Sequence, residues 1–237
     1  IKNLIAHENV PFTMKETKRA QQGTEKINDQ LFNYVEWEWD IFPTKSGNIT
    51  IPAYGANYER YVERDDFWGG LGRFFGNQIE TKRIYSNALT LQVDSLPSSE
   101  KKPMAIGAFS HMNMSAHPTS AHQGEGIIVT IQLIGNTNPD HVDFSHLQNL
   151  PKELRSYESK KSFHPPINSD EYQLQFEFVV QGLQPGNYTI PAQSLYYYDV
   201  NEKKYKTIYT EPLSLTIHSK PNASFSSPDR AQSDPLE

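Results

Sequence analysis

The sequence predicts an all-β protein built from tandem immunoglobulin-like β-sandwich domains. The first observation is a strand–turn–strand segment that occurs twice, at 37–53 and 176–192, with no gap between the copies. The second is the alternation of apolar and polar residues in each copy, which is typical of a strand with one buried face. The third is a closing strand after each copy, at 86–93 and 210–217. A repeat of this length indicates a repeated domain rather than a solenoid unit.

The alternation predicts which side chains form each core. Trp37 and Trp39 alternate with Glu38, as Phe176 and Phe178 alternate with Glu177. We therefore expect the first core to contain Trp37, Trp39, Ile49, Ile51, Leu89 and Leu91. Its counterparts in the second core are Phe176, Phe178, Tyr188, Ile190, Leu213 and Leu215.

Turn residues separate the strands of each copy. Gly47 and Gly186 occupy equivalent positions where a turn can require positive φ. Pro52 and Pro191 follow the second strand and remove a ladder donor, so that strand ends or bends there.

The repeat also predicts the domain organisation. A first sandwich spans 1–95, a linker spans 96–103, a second sandwich spans 104–218, and a disordered tail or linker spans 219–237. The first sandwich has 36 residues before its repeat segment, whereas the second has 72 (104–175). We expect that the first lacks its opening strands because it is truncated, rather than because it is a smaller sandwich.

Three segments are less regular. Residues 54–85 contain an insertion of 15 residues relative to the second copy. The segment from Lys15 to Lys26 is charged and rich in Gln, and this composition predicts a long loop or an exposed strand pair. Asp143 to Ser156 predicts a short irregular edge.

Composition excludes several classes of protein. The net charge is −6, the pI is near 5.8, and no Lys/Arg block stands out, so a nucleic-acid surface is not expected. The sequence has no cysteine, which excludes disulfides, thiol catalysis and zinc–thiolate sites. No apolar run of about 18 residues occurs, so membrane association is expected only through segments outside this sequence.

No motif predicts catalysis, a metal site or a cofactor. The spacing of His111, His117 and His122 fits neither one strand face nor a helical pair, so surface histidines are the simpler interpretation. The acids Glu36, Glu38, Asp40 and Glu177 fit solvated strand faces better than the paired carboxylates of a glycosidase. No Gly-x-Ser-x-Gly elbow and no phosphate loop before a helix occur. We expect a protein that is not an enzyme and that binds no cofactor.

One stretch of the insertion is rich in aromatic residues and glycine. It contains Phe67, Trp68, Leu71, Phe74 and Phe75. Either the stretch folds back and caps the first sandwich, or these side chains form a partner contact, since aromatic anchors dominate interface energetics.

The order of the repeated pieces resembles a known family. The pieces are "EWEWDIFPTKSGNITIPA" and "SNALTLQV" in the first copy, and "YQLQFEFVVQGLQPGNYTIPAQSLYYYD" and "YKTIYTEPLSLTIH" in the second. With "GAFSHMNMSAHPTSAHQGEGIIVTIQLIGNTNP" and "LQNLPKELRSYES" they resemble the BatD family of bacterial oxygen-tolerance, or aerotolerance, proteins over about residues 30–218. The 54–85 insertion departs from the family pattern.

The resemblance implies a location and partners. It implies a protein on the periplasmic side of the bacterial inner membrane, anchored by a segment outside this sequence. The implied partners are membrane-anchored von Willebrand A-domain proteins and, indirectly, a MoxR-type ATPase. It supplies no catalytic residues.

Two functions follow as expectations. The first is a non-catalytic protein–protein interaction and assembly module of the cell envelope, serving oxygen and stress tolerance. The alternative is a carbohydrate-binding or adhesive module, because exposed aromatic residues on a β-sandwich can stack on sugars.

Overall fold

The computed structural model describes residues 2–5, 9–62, 78–165 and 170–221. These residues form an all-β protein whose one helical element is a 3₁₀ turn at Pro139–His141. The chain divides into two compact units, residues 1–100 and 101–237. The predicted fold class, an all-β chain, is confirmed.

The described part of the first unit contains seven strands. They form a sheet of order β1-β5-β6 and two strand pairs, β2-β3 and β4-β7. Their bounds are β1 (Lys2–Ile5), β2 (Phe12–Ile27), β3 (Gln30–Pro43), β4 (Gly47–Ile51), β5 (Gly55–Val62), β6 (Gln78–Tyr85) and β7 (Leu89–Val93).

The described part of the second unit contains nine strands in two sheets. Their bounds are β8 (Ala105–His117), β9 (Ser120–His122), β10 (Gly126–Thr137), β11 (Leu154–His164), β12 (Tyr172–Gly182), β13 (Gly186–Ile190), β14 (Ser194–Asp199), β15 (Lys204–Tyr209) and β16 (Leu213–His218). The six-stranded sheet has the order β11-β12-β10-β8-β14-β15, and the three-stranded sheet has the order β13-β16-β9. Most neighbours are antiparallel, but β14 runs parallel to β8 and β16 runs parallel to β9.

The two sheets of the second unit pack face to face. A Cβ atom added to Gly182 on β12 would lie 2.5 Å from the Ile217 side chain on β16, so only glycine fits this contact between the sheets. Alternate residues of β12 are buried along its whole length. The core draws large, fully buried side chains from both sheets, including Tyr172, Phe178, Ile127, Ile131, Leu133, Leu174, Ile190 and Leu215. Burial at every second position confirms the alternation predicted for this strand.

The repeat seen in the sequence is also a repeat of strand register. Gly47 pairs with Val93 between β4 and β7, and Gly186 pairs with Ile217 at the equivalent place between β13 and β16. Gly47 has φ of 100° and Gly186 has φ of 155°, both within the range that favours glycine. The prediction of glycine-dependent turns at both positions is therefore confirmed.

The first unit has two strands before its repeat strand β3, whereas the second unit has four before β12. Within the described residues, β3 pairs with β2 alone, but β12 lies between β10 and β11. β2 occupies the place of β11 in this comparison. β1 pairs with β5 as β8 pairs with β14, so β9 and β10 are the strands without a counterpart in the described part of the first unit.

This smaller sheet explains where the predicted core of the first unit was wrong. Ile49 is buried, but Leu89 is 54% exposed, and Trp37 and Trp39 are only half-buried. Two further core predictions, Ile51 and Leu91, are half-buried as well. In the second unit the counterparts Phe176 and Phe178 are buried on β12, which has a strand on each side, β11 and β10. Without such neighbours, the same strand face is covered incompletely.

In the second unit, two predicted core residues lie at the margin. Tyr188 and Leu213 are half-buried, while Phe176, Phe178, Ile190 and Leu215 are buried. The Tyr188 hydroxyl donates to the carbonyl of Gln184, 3.0 Å away, so this ring closes the turn before β13.

The insertion within 54–85 leaves the two strands of the hairpin in place. β5 begins at Gly55 and β6 ends at Tyr85, as β14 begins at Ser194 and β15 ends at Tyr209. The hairpin itself is therefore retained within 54–85. Each of its strands is two residues longer than its counterpart, and the interval between them, 63–77, has 15 residues where the second unit has the four-residue turn 200–203.

The segment predicted as an irregular edge in the second unit is an anchored loop followed by a strand. Val142, Phe144 and Leu147 are buried, and the Phe144 ring lies 5.8 Å from the Phe176 ring. Strand β11 then begins at Leu154, which the sequence did not predict. Its polar residues alternate too weakly with apolar ones to signal an edge strand.

Candidate functional site

The residues predicted to contact a partner are Phe67, Trp68, Leu71, Phe74 and Phe75. All of them lie in the interval 63–77, outside the described residues. Their role stays a prediction. The described residues instead present two surfaces with exposed aromatic side chains, one in each unit.

The first surface is the hairpin arm, defined here as residues 20–35 in the outer halves of β2 and β3. Its tip is a two-residue turn in which Asn28 has φ of 47° and Asp29 has φ of 64°. Positive φ at both central residues is the geometry of a type I′ turn, which matches the twist of the flanking strands. Lys26 and Asp29 form an exposed ion pair across the turn at 2.8 Å.

A glycine and an aromatic ring fix the middle of the arm. Gly23 lies opposite Tyr34 in the strand pairing, and a Cβ atom on Gly23 would fall 2.6 Å from the Tyr34 ring. The ring therefore lies directly over the glycine backbone, which is a known way of covering an edge glycine. Beside it, the Thr24 hydroxyl donates to the Asn33 side-chain oxygen at 3.1 Å.

The hairpin arm exposes large apolar side chains. Leu31 is 75% exposed, and Ile27, Phe32 and Tyr34 are each exposed by more than two fifths. Because residues alternate across a strand, Phe32 and Tyr34 lie on one face of the arm and Leu31 lies on the other. An open groove at its base is lined by Thr24, Glu25, Tyr34, Val35, Glu36 and Trp37. The arm thus offers apolar contacts on both faces.

The second surface is the tyrosine face, which is the outward side of the β14–β15 hairpin. Leu195, Tyr197 and Asp199 are buried, so the alternate residues point outward. The cross-strand pairs on that side are Ser194 with Tyr209, Tyr196 with Thr207 and Tyr198 with Tyr205. All six of these side chains carry a hydroxyl group and none carries a charge.

The rings of the tyrosine face pack against one another. Tyr196 and Tyr205 are stacked, with centroids 5.5 Å apart and planes 17° apart. Tyr198 meets Tyr205 edge to face at 5.1 Å. Desolvation raises the pKa of Tyr205, and the neighbouring phenols of Tyr196 and Tyr198 raise it further. The stacked and edge-to-face contacts make these rings an ordered cluster.

The charged groups of this hairpin lie in its turn and on the side of its strands opposite to the tyrosine face. The carboxylate of Asp199 accepts the backbone N–H groups of Asn201 and Glu202 and the ammonium of Lys206. The bond from the Glu202 amide is the main cause that lowers the pKa of Asp199. Glu202 also pairs with Lys206 at 2.7 Å and with Lys204 at 2.6 Å. The acids and lysines of the turn thus neutralise one another.

The histidines predicted to lie on the surface do not form a cluster. His111 and His117 are exposed on β8, and the His122 ring lies 2.7 Å from the carbonyl oxygen of Ser219 and 5.7 Å from the His218 ring. In the described part of the chain, no group of three or more His, Asp or Glu residues could hold a metal ion.

The acids that the sequence placed on strand faces stay on the outer side of their strands. Glu36 and Glu38 are exposed, and Asp40 and Glu177 are half-buried. Glu36 lines the groove at the base of the arm together with Glu25, and the lining of that groove includes none of the other three acids.

Comparison with known proteins identifies the second unit. Residues 114–217, from β8 to β16, match the family model described as a BatD DUF11 like domain. We refer to this matched part of the second unit as the BatD domain. The resemblance stated from the sequence is therefore confirmed for this part of the chain. No curated protein and no solved structure gives a significant match.

The BatD domain contains the whole tyrosine face, whereas the hairpin arm lies outside the matched residues. Sequence reasoning did not identify the face as a site. A usable signal was present, because Ser, Tyr and Thr recur at every second position in both strands. The structure shows that the two sets share one side.

None of the helical residues that the structure describes forms a segment long and apolar enough to span a membrane.

Proposed function

We propose that this chain is a non-catalytic assembly module of the bacterial cell envelope, in a BatD-like aerotolerance system, and that it binds protein partners. The BatD domain supports the link to that system. The observation that carries the protein-binding role is the exposed apolar surface of the hairpin arm, led by Leu31 and Phe32.

Physical arguments favour a protein as the occupant of the arm. Exposed clusters of large apolar side chains mark interaction sites, because leaving them in water forfeits hydrophobic stabilisation. Fully burying one such side chain contributes about 1.5–3 kcal/mol. A two-stranded ribbon is also only marginally stable alone, so contact with a partner would hold it in place. An apolar groove on another protein meets both needs.

The proposed partners are membrane-anchored von Willebrand A-domain proteins, with a MoxR-type ATPase acting indirectly. The proposed location is the periplasmic side of the inner membrane, with an anchor outside this sequence. These proposals rest on the family link and on the apolar arm.

Crosslinking in native envelopes tests the proposal. The full chain and a variant carrying Leu31→Ser and Phe32→Ser are crosslinked and the von Willebrand A-domain protein is quantified in the captured material. We expect the double variant to capture at least tenfold less partner than the native chain, with an unchanged melting temperature. A matched control is Leu89→Ser, which removes a similarly exposed leucine from β7 of the same unit.

Two results would contradict the proposal. One is equal capture of the partner by the native chain and the double variant. The other is equal loss of capture in the Leu89→Ser control, which would show that the arm has no specific role.

A further inference from the structure

We propose that the tyrosine face of the BatD domain is a binding site for a neutral glycan chain. This site is separate from the hairpin arm and goes beyond the assembly role. The face combines four tyrosine rings with the hydroxyl groups of Ser194 and Thr207, and its outward side has no charged residue.

The chemistry of the face matches that of a sugar. A pyranose ring has an apolar C–H surface and a rim of hydroxyl groups, and tyrosine likewise joins an apolar ring to a polar tip. Each phenol can both donate and accept a hydrogen bond, as can Thr207. Neither partner then has to desolvate a charge, which is the costly step in burying ionic groups.

The face is also held in place before any ligand arrives. Tyr205 lies between Tyr196, stacked at 5.5 Å, and Tyr198, edge to face at 5.1 Å. Behind the face, Tyr197 is buried and meets the Phe109 ring edge to face at 4.8 Å. Rings ordered in this way lose little freedom on binding, and that lowers the cost of association.

The size of the face suits a chain rather than a single sugar. Tyr205 and Tyr209 are four residues apart on β15, which corresponds to about 14 Å along the strand. Tyr209 is 62% exposed and extends the aromatic surface toward the end of β15. Several linked pyranose rings can span that distance.

The alternative occupant is a protein, because tyrosine is also enriched at protein interfaces. The six side chains that define the face include no aliphatic residue and no arginine, and the exposed Ile106 of β8 lies beside Tyr198 at its margin. The uncharged hydroxyl surface therefore favours the glycan.

Calorimetric titration of the full chain tests the proposal. The probes are three neutral oligosaccharides, chitohexaose, cellohexaose and mannohexaose. We expect saturable binding of at least one of them, weakened at least tenfold by Tyr196→Ala or Tyr205→Ala. Tyr205→Phe, which keeps the ring and removes the hydroxyl, should lose less than Tyr205→Ala. Tyr209→Ser supplies a variant at an exposed position where folding is not at risk, and it should weaken binding too.

Tyr34→Ser on the hairpin arm is the control and should leave glycan binding unchanged. Absence of saturable binding to all three probes would overturn the proposal. So would binding that persists in the tyrosine variants, or loss of protein crosslinking in those variants without any glycan binding. The arm variants test protein capture and the face variants test glycan binding. A failure of the glycan proposal can therefore be distinguished from a failure of the assembly role.

Discussion

The backbone amide of Gln193 donates a hydrogen bond to the Thr210 hydroxyl at 3.0 Å, and the Thr210 amide donates to the Gln193 carbonyl at 2.9 Å. Tyr54 and Ser86 make the same two bonds in the first unit, at 3.0 and 2.9 Å. The reciprocal pair ties the start of one hairpin to the segment that follows it. The repeat therefore extends to side-chain hydrogen bonds that no apolar pattern reveals.

Replacing Thr210 with Val tests that pair. Both residues are buried in the second unit, so loss of the hydroxyl leaves the Gln193 amide without an acceptor. An orphaned buried donor costs about 1–3 kcal/mol, and we expect a loss of that size in denaturant unfolding. Thr210→Ser keeps the acceptor and should lose less. Equal losses in the two variants would show that volume, not the hydroxyl, is responsible.

Replacing Phe178 with Ala tests the core of the BatD domain. The side chain has no exposed surface, and its truncation should lower the free energy of unfolding by about 3–5 kcal/mol. Leu89→Ala, at a position that is half exposed, should cost less than about 0.5 kcal/mol. A loss below about 1 kcal/mol for Phe178→Ala, measured by denaturant unfolding, would contradict its place in the core.

Acid should destabilise the second unit through Asp199. Its hydrogen bonds lower the pKa of Asp199 from the ordinary value of 3.8, so the folded state stabilises the carboxylate over the protonated acid. The stability contributed by this group is present above pH 3.8 and is lost as pH falls through the lower folded pKa. Asp199→Asn should cost about 1–3 kcal/mol at pH 7 and should flatten the acid limb of the stability curve. Exposed Asp143→Asn is the control, and an identical acid limb in both variants would contradict the assignment.

The two units should behave differently as isolated fragments. Residues 104–218 contain both sheets of a sandwich and should fold as a soluble monomer. Residues 1–95 should be prone to aggregation, because β3 pairs with β2 alone among the described strands. Analytical ultracentrifugation and thermal melting check both expectations. A monomeric 1–95 fragment with a cooperative melting transition would contradict the second.

The amino-acid sequence by itself determined the elements whose physics is local. Alternation of apolar residues identified β12, because every second residue of a strand faces the core. Gly47 and Gly186 marked their turns, because positive φ selects glycine within a few residues of chain. The constant spacing of the repeated segments also predicted equivalent strands, and their shared register confirms it.

Only the tertiary structure decided which of those strand faces are covered and which side chains meet. Leu89 and Leu213 have the same pattern in the sequence, yet Leu89 is exposed and Leu213 is half-buried. Coverage depends on neighbouring strands that are distant in sequence, such as β9 beside β16, which has no equivalent beside β7 among the described strands. The tyrosine face likewise arises because the pairing of β14 with β15 places hydroxyl residues of two strands on one side. Register between strands is set by long-range packing, so a pattern within one strand cannot specify it.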